Sequence, residues 1–105
     1  MQPVDVTEKI FQRAPLLIVD VRNGWEYRAG HIPGAVHIPF WKIHSSKSLF
    51  DENGKAEVLL YCEHGPRAWF AGFVLRRIGV VNVNYLAGHM LRWKREKRPL
   101  SKYIA

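Results

Sequence analysis

Two short, mostly apolar runs rich in branched residues constrain the fold of this chain more than any other feature of its sequence. They are residues 16–21 (LLIVDV) and 58–61 (VLLY), and in neither run do polar and apolar residues alternate. Such runs are typical of strands buried on both faces, as in a parallel sheet covered by helices. Residues 35–38 and 80–86 are two further candidate strands.

Helical patterns fall between these strands. Apolar residues at i, i+3, i+4 and i+7 predict a helix over residues 67–78, and Gly79 is placed to end it. Asn23 and Glu26 form a capping-box pattern, which predicts the start of a shorter helix. The remaining helical segments are predicted within residues 40–50 and over residues 88–96.

The alternation of strands and helices predicts an α/β fold, with a central, mostly parallel β-sheet flanked by α-helices on both faces. With 105 residues, the chain is expected to form one domain over residues 1–105. No apolar run is long enough to span a membrane, and the first residues lack the basic and apolar regions of a secretory signal. We therefore expect a cytoplasmic protein without a membrane partner.

The residue types that bind metals are sparse. Cys62 is the only cysteine, which excludes an internal disulfide and a multi-cysteine zinc site. His37, His44 and His89 do not have the spacing of metal ligands. We therefore expect neither a metal nor another cofactor.

The chain is basic, with 16 lysines and arginines against nine carboxylate residues and a formal charge of +7. This excess attracts anions of any size, from small oxyanions to nucleic acid. Part of it lies in residues 92–102, where a solvent-exposed helix face and tail explain it. Because no helix-turn-helix, zinc-finger or aromatic RNA-binding motif accompanies the charge, the sequence does not favour a nucleic-acid partner.

The residues most suggestive of chemistry follow the second apolar run. That run leads into Cys62, and a helix is predicted to begin at about Arg67. The carboxyl end of a parallel strand is where ligands bind in open α/β sheets. Backbone N–H groups of the loop, the positive end of the helix and the charge of Arg67 would all favour the thiolate over the thiol. We therefore predict that Cys62 is a nucleophile that attacks a sulfur or phosphorus centre bearing anionic oxygens.

Over residues 16–100 the sequence resembles a single-domain rhodanese, a thiosulfate sulfurtransferase-like domain. The motifs that carry the resemblance are DVR at 20–22, Glu26, GHIPGA at 30–35, HIP at 37–39, LYC at 60–62, Arg67, Gly79, LAG at 86–88 and Trp93. The GHIPGA stretch and the Cys-x-x-Gly-x-Arg loop are together specific, whereas either alone is weak.

The resemblance implies a rhodanese-like fold and a double-displacement transfer of sulfur. In such a reaction Cys62 is the nucleophile that takes a sulfane sulfur from thiosulfate or a protein persulfide, and a thiol or cyanide then accepts it. The resemblance also implies that the loop cradles the persulfide and that Arg67 helps to hold an anionic donor. The substrate-binding residues that it implies are Glu63, His64, Gly65, Pro66, Arg67 and Ala68.

Two other functions compete with this prediction. Related cysteine phosphatases, and arsenate reductases by extension, have five residues between Cys and Arg, whereas four separate Cys62 from Arg67. The tighter loop fits one sulfur atom better than a phosphoryl group. A non-catalytic sulfur-carrier or protein-binding module is the second alternative. It gains weight because Glu63 adds negative charge beside the thiol, Pro66 lacks an N–H and Ala68 lacks a hydroxyl.

Several other polar or aromatic residues are interpreted as structural. Asp20 and Arg22 are expected to form an ion-paired brace, with Glu26 pairing with Arg22, and His31 is expected to hydrogen-bond where a helix gives way to a strand. The four tryptophans are interpreted as packing in the core or in a pocket wall. His64 either orients the donor or faces solvent.

Overall fold

A computed structural model describes residues 1–54 and 56–103. Strands and helices alternate along the chain, as the sequence pattern predicts. The strands are β1 (Leu16–Asp20), β2 (Val36–His37), β3 (Glu57–Tyr61) and β4 (Val83–Tyr85). The α-helices are α1 (Pro3–Phe11), α2 (Gly24–Ala29), α3 (Lys47–Glu52), α4 (Pro66–Arg77) and α5 (His89–Arg95), and a 3-10 helix covers Phe40–Ser45.

The four strands form one parallel sheet in the order β2-β1-β3-β4. Asp20 at the end of β1 is opposite Tyr61 at the end of β3, and Leu60 is opposite Tyr85 of β4. The central strand β3 therefore ends between two neighbours, and the carboxyl ends of all four strands meet at one edge. That edge is where ligands bind in open α/β sheets, and it is the edge at which the sequence predicts the site.

Apolar residues cover both faces of the sheet, which explains why β1 and β3 show no alternation in sequence. Val58 and Leu60 of β3 point into one apolar cluster, formed with α3, α4 and the 3-10 helix. Leu59 and Tyr61 point into a second cluster, formed with α1 and α5. The predicted α/β fold, a parallel sheet with helices on both faces, is confirmed.

The local predictions differ from the structure at the sheet edges and at the amino end. β4 begins at Val83 rather than at residue 80, because only β3 pairs with it, and Val81 is exposed. Within residues 40–50 the chain forms the 3-10 helix before α3 begins. The sequence interpretation did not include α1, which buries Pro3 and Val6. None of the helices in residues 1–54 and 56–103 is both long and apolar enough to cross a membrane.

Candidate active site

Cys62 lies immediately after β3 and continues its alternation of faces. It points to the same side of the sheet as Val58 and Leu60, toward the buried Ala68 of α4. The residue has no exposed surface. The nucleophile predicted from the sequence is therefore at the expected edge of the sheet, but the loop that follows covers its thiol.

The loop after Cys62 folds back so that one of its amides contacts the sulfur. The N–H of Gly65 donates a hydrogen bond to Cys62 Sγ, with N and S 2.9 Å apart. Gly65 has a φ of +130°, which side-chain-bearing residues rarely adopt, and Pro66 then begins α4. Within the described residues, Gly65 is the sole backbone donor to Sγ, whereas the sequence suggested several amides from Glu63 to Ala68.

His89 contacts the loop from the start of α5, a role that the sequence interpretation missed. Its Nδ1 accepts a hydrogen bond from the Cys62 N–H at 3.3 Å. A side chain on Gly65 would lie within 3.2 Å of its Nε2. Burial lowers the pKa of His89, and the nearby His64 and amino terminus lower it further, so the neutral ring that can accept this bond is favoured. The sequence offered one signal for this role of His89. The residue follows β4 closely, and β4 pairs with β3, the strand that leads to Cys62.

The Arg67 guanidinium is bound to Glu26 of α2. Nη1 of Arg67 is 2.6 Å from Oε1 of Glu26, and Nη2 is 3.1 Å from Oε2. The hydrogen bond from Arg67 is the largest cause that lowers the pKa of Glu26, and Glu26 in turn raises the pKa of Arg67. The predicted pairing of Glu26 with Arg22 is wrong, because Arg67 of α4 lies closer to this carboxylate and occupies both of its oxygens.

Arg22 instead joins Asp20 and Glu63, and the predicted Asp20–Arg22 brace is confirmed. Arg22 is buried, with Nη2 2.7 Å from Asp20 Oδ2 and 2.7 Å from the carbonyl oxygen of Gly30. Burial alone would lower the pKa of Arg22, but hydrogen bonds and charge from Asp20 raise it. Glu63 forms ion pairs with Arg22 at 3.2 Å and with Lys94 of α5 at 3.1 Å, so two cations balance the negative charge of its carboxylate.

A cleft of about 320 Å³ opens beside the loop, on the side of α2 and α5. Its lining is Arg22, Trp25, Glu26, Ala29, Gly30, Glu63, Lys94 and Leu100. The three cations at or beside this cleft, Arg22, Lys94 and the adjacent Arg67, are each paired with a carboxylate. A small anion in the cleft would have to compete with these carboxylates.

Two histidines of the predicted motifs have simple placements. His31 is buried, stacks on Tyr27 and has its Nδ1 2.8 Å from the Tyr27 carbonyl oxygen, so the predicted structural role is confirmed. His64 is exposed on the loop.

The tryptophans do not all pack as expected. All four lie within the described residues, and Trp93 is buried. Trp25 is exposed but lines the cleft, so packing in the core or in a pocket wall is confirmed for Trp93 and Trp25. Trp41 and Trp69 are exposed and line none of the described pockets, so the expectation is wrong for these two. Trp69 belongs to the first turn of α4, which directly follows the Cys62 loop.

Comparison with known proteins agrees with this geometry. The Rhodanese-like domain family model matches residues 3–96, almost the whole chain. The chain belongs to the rhodanese-like domain family. Its loop between Cys62 and Arg67 and its buried parallel sheet are thus those of a rhodanese-like domain.

Three relatives illustrate the range of this similarity. A Bacillus subtilis protein named "Putative sulfur carrier protein YrkF" is 31% identical over 86 residues, which are 82% of this chain and 45% of the relative, so this chain spans less than half of that protein. A protein of Allochromatium vinosum named sulfurtransferase is 27% identical over 95 residues, 90% of this chain and 87% of the relative. A rhodanese-related protein of Thermoplasma volcanium shares the fold, with a TM-score of 0.82, 21% identity and coverage of 98% and 97%.

Proposed function

We propose that this rhodanese-like domain is a sulfurtransferase that moves a sulfane sulfur through a persulfide on Cys62. The observation that carries the proposal is the hydrogen bond of 2.9 Å from the Gly65 amide to Cys62 Sγ, at the carboxyl end of the central strand. The sulfurtransferase and sulfur-carrier relatives support this class of chemistry. A free reactive thiol also fits a reducing, cytoplasmic setting.

In the first step the Cys62 thiolate attacks the outer sulfur of the donor. A bond forms between Sγ and that sulfur, and the donor's sulfur–sulfur bond breaks. With thiosulfate, sulfite leaves with the bonding electron pair, and Cys62 carries a persulfide. The Gly65 N–H, which donates to Sγ at 2.9 Å, stabilises the negative charge of the thiolate that makes this attack.

In the second step an acceptor attacks the terminal sulfur of the persulfide. Cyanide takes the sulfur as thiocyanate, or a thiolate takes it as a new persulfide, and the Cys62 thiolate leaves with the electron pair. No net oxidant or reductant is needed, because each step exchanges one nucleophile for another on a sulfane sulfur.

Access to the sulfur requires the loop to move. Cys62 is fully buried, whereas His64 and Pro66 of the covering loop are exposed. The donor therefore enters when residues 63–66 swing outward. Arg67 remains a donor-binding residue in this proposal. An anionic donor must either displace Glu26 from Arg67 or bind Arg67 together with Glu26.

A sulfur carrier without turnover of small donors is the second candidate. Two observations favour it: the Arg67 charge is taken by Glu26, and the thiol is covered. Such a domain would accept one sulfur from a protein persulfide and pass it on. The phosphatase and arsenate reductase alternatives fit less well, because the four residues between Cys62 and Arg67 close a loop around one sulfur atom.

Steady-state thiocyanate formation from thiosulfate and cyanide tests the proposal. We expect turnover by the wild-type protein and none by Cys62→Ser or by Cys62→Ala. A correctly folded wild-type protein that forms no thiocyanate, yet takes up a single sulfur from glutathione persulfide, would favour the carrier instead. No turnover and no sulfur uptake from either donor would overturn both candidates.

A further inference from the structure

Five aromatic side chains lie together on the 3-10 helix and on α4, which follows the Cys62 loop; four are exposed and Phe40 is partly buried. This aromatic surface consists of Phe40 and Trp41 of the 3-10 helix and Trp69, Phe70 and Phe73 of α4. Phe40 joins the two helices, because its ring makes edge contacts with Trp41 and Phe70, with centroid distances of 5.3 and 5.9 Å. Trp69 stacks on Phe73 at 6.1 Å.

Four of the five rings face solvent, and only Phe40 packs against the core. Trp69 is 64% exposed, and Trp41, Phe73 and Phe70 are 49%, 49% and 45% exposed. Large aromatic residues gathered on one surface cost solvation free energy in the isolated protein, and they are the residues that contribute most to protein–protein binding. Contiguity distinguishes this surface from the isolated exposed rings of Phe11 and Trp25.

The charged side chains of the 3-10 helix and of α4 are all cationic. Lys42 lies on the 3-10 helix, and α4 ends with Arg76 and Arg77, both exposed. The Arg77 guanidinium lies 5.9 Å from the centre of the Phe73 ring. Residues 40–45 and 66–77 contain no carboxylate. A complementary partner therefore presents apolar side chains together with Asp or Glu.

The aromatic surface is continuous with the reactive loop. The Trp69 N–H donates to the Gly65 carbonyl oxygen at 2.9 Å, and Gly65 is the residue whose amide contacts Cys62 Sγ. A partner that lies on Trp69 is therefore next to the loop that must open. On the other side of the loop, the cations that would hold a small anion are paired with carboxylates.

We propose that the aromatic surface binds the sulfur donor, a protein whose cysteine persulfide lies in an acidic and apolar segment. This inference rests on the proposed function. Cys62 thiolate attacks the terminal sulfur of the partner's persulfide, and the partner's thiolate leaves with the electron pair. Affinity comes from the aromatic rings and from Lys42, Arg76 and Arg77, so Arg67 does not have to be released from Glu26.

Two synthetic peptides of equal length and equal leucine content test the proposal. One carries glutamates and the other lysines, and each ends in a cysteine persulfide; versions that end in serine serve for binding. By calorimetric titration we expect the acidic peptide to bind about tenfold or more tightly than the basic one, equivalent to ~1.4 kcal/mol. Intact-mass analysis should show that the acidic persulfide loads Cys62 faster by a similar factor.

Variants locate the binding site. Trp69→Ala with Phe73→Ala should weaken binding of the acidic peptide about tenfold or more, while Phe11→Ala, which removes an exposed ring at the end of α1, should leave that binding unchanged. Phe73→Ser alone should weaken it, which keeps the test valid if the double variant does not fold. Loading of Cys62 by thiosulfate or glutathione persulfide should be unchanged in all folded variants.

The outcomes separate this inference from the proposed function. Equal binding of the two peptides, or an unchanged affinity for the acidic peptide after loss of Trp69 and Phe73, would overturn the docking proposal even if Cys62 loads normally. Binding of the acidic peptide with no loading of Cys62 by any donor would support the surface and overturn the sulfurtransferase. Dimerisation that disappears in the Trp69 and Phe73 variants would assign the surface to a second copy of the chain and overturn the donor.

Discussion

The Arg67 guanidinium forms a two-point ion pair with the Glu26 carboxylate, with N–O distances of 2.6 and 3.1 Å. This contact joins the first turn of α4 to α2 and fixes the end of the Cys62 loop. It also neutralises the cation that a negatively charged donor would use. The preference of the domain among sulfur donors therefore depends on how firmly Glu26 holds Arg67.

Glu26→Gln should improve the use of thiosulfate. The glutamine keeps an oxygen for the Asn23 N–H, which Glu26 now accepts at 3.0 Å, but it loses the charge that holds Arg67. A gain of ~1 kcal/mol in anion binding would lower KM about fivefold, with little change in kcat. Steady-state thiocyanate formation measures both constants.

Asp51→Asn is the matched control for this substitution. It removes a carboxylate from an exposed ion pair with Lys47, remote from the loop, and changes the net charge by the same amount. KM should not respond to it. A KM that is unchanged or higher in Glu26→Gln would show that Glu26 does not restrain Arg67.

Gly65→Ala should impair sulfur transfer because the loop needs a residue that adopts a φ of +130°. The added Cβ would also lie 3.2 Å from Nε2 of His89. A strained or displaced amide no longer supports Sγ, so we expect the rate of persulfide formation to fall by about a hundredfold, in the range for loss of one oxyanion-hole donor. Stopped incubations analysed by mass give this rate.

Gly79→Ala is the control that introduces the same kind of backbone strain, an alanine at a positive φ, without touching the Cys62 loop. Gly79 has a φ of +99° but no atom within 4 Å of an added Cβ, and it lies at the far end of α4. The Gly79→Ala variant should be less stable than the wild type, but its Cys62 should take up sulfur at the wild-type rate. Equal rates in Gly65→Ala and Gly79→Ala would contradict the role given to the Gly65 amide.

Asp20→Asn should destabilise the fold strongly. Arg22 is buried, and its closest carboxylate contact is Asp20 at 2.7 Å, so the variant leaves a buried charge with weaker compensation. The expected loss is about 3–5 kcal/mol of unfolding free energy, measured by urea denaturation. Asp51→Asn, in an exposed pair, should change it by less than about 0.5 kcal/mol. Similar small losses in both variants would contradict the brace.

His89 should make the fold sensitive to mild acid. Its pKa is lowered in the folded protein from its ordinary value of 6.5, so below pH 6.5 the unfolded chain binds a proton that the folded protein refuses. Stability is therefore complete above about pH 6.5 and declines as the pH falls toward the lowered pKa.

The variant His89→Asn isolates this contribution. Asparagine tolerates the φ of +52° at this position and does not titrate. Urea denaturation at a series of pH values should show a shallower decline below pH 6.5 in His89→Asn than in the wild type. His44→Asn, on the exposed face of the 3-10 helix, should keep the wild-type slope. Parallel profiles for His89→Asn and the wild type would refute this origin.

The strands and the position of Cys62 were predictable because they depend on local pattern. Residues 16–21 and 58–61 are mostly apolar without alternation, a pattern typical of strands in a sheet covered on both faces, and both faces are covered here. The motif that follows places the thiol at the sheet edge without any knowledge of tertiary contacts.

The partners of the charged residues were not predictable, because they depend on how the helices pack. Glu26 and Arg22 are close in sequence, yet Glu26 reaches Arg67, 41 residues away, and Arg22 reaches Glu63. The contact of His89 with the Cys62 amide likewise requires α5 to lie beside the loop. Burial of the thiol follows from the same packing, since α4 and the loop close over it.

Whether Cys62 carries a persulfide is decided by intact-mass analysis of the protein after incubation with thiosulfate. We expect wild-type protein to gain the mass of one sulfur atom and to lose it on addition of cyanide, and Cys62→Ser to gain nothing. Glutathione persulfide in a parallel incubation covers a donor that needs no free cation. Wild-type protein that remains unmodified by both donors, while a thiol reagent finds Cys62 free after denaturation, would contradict the account.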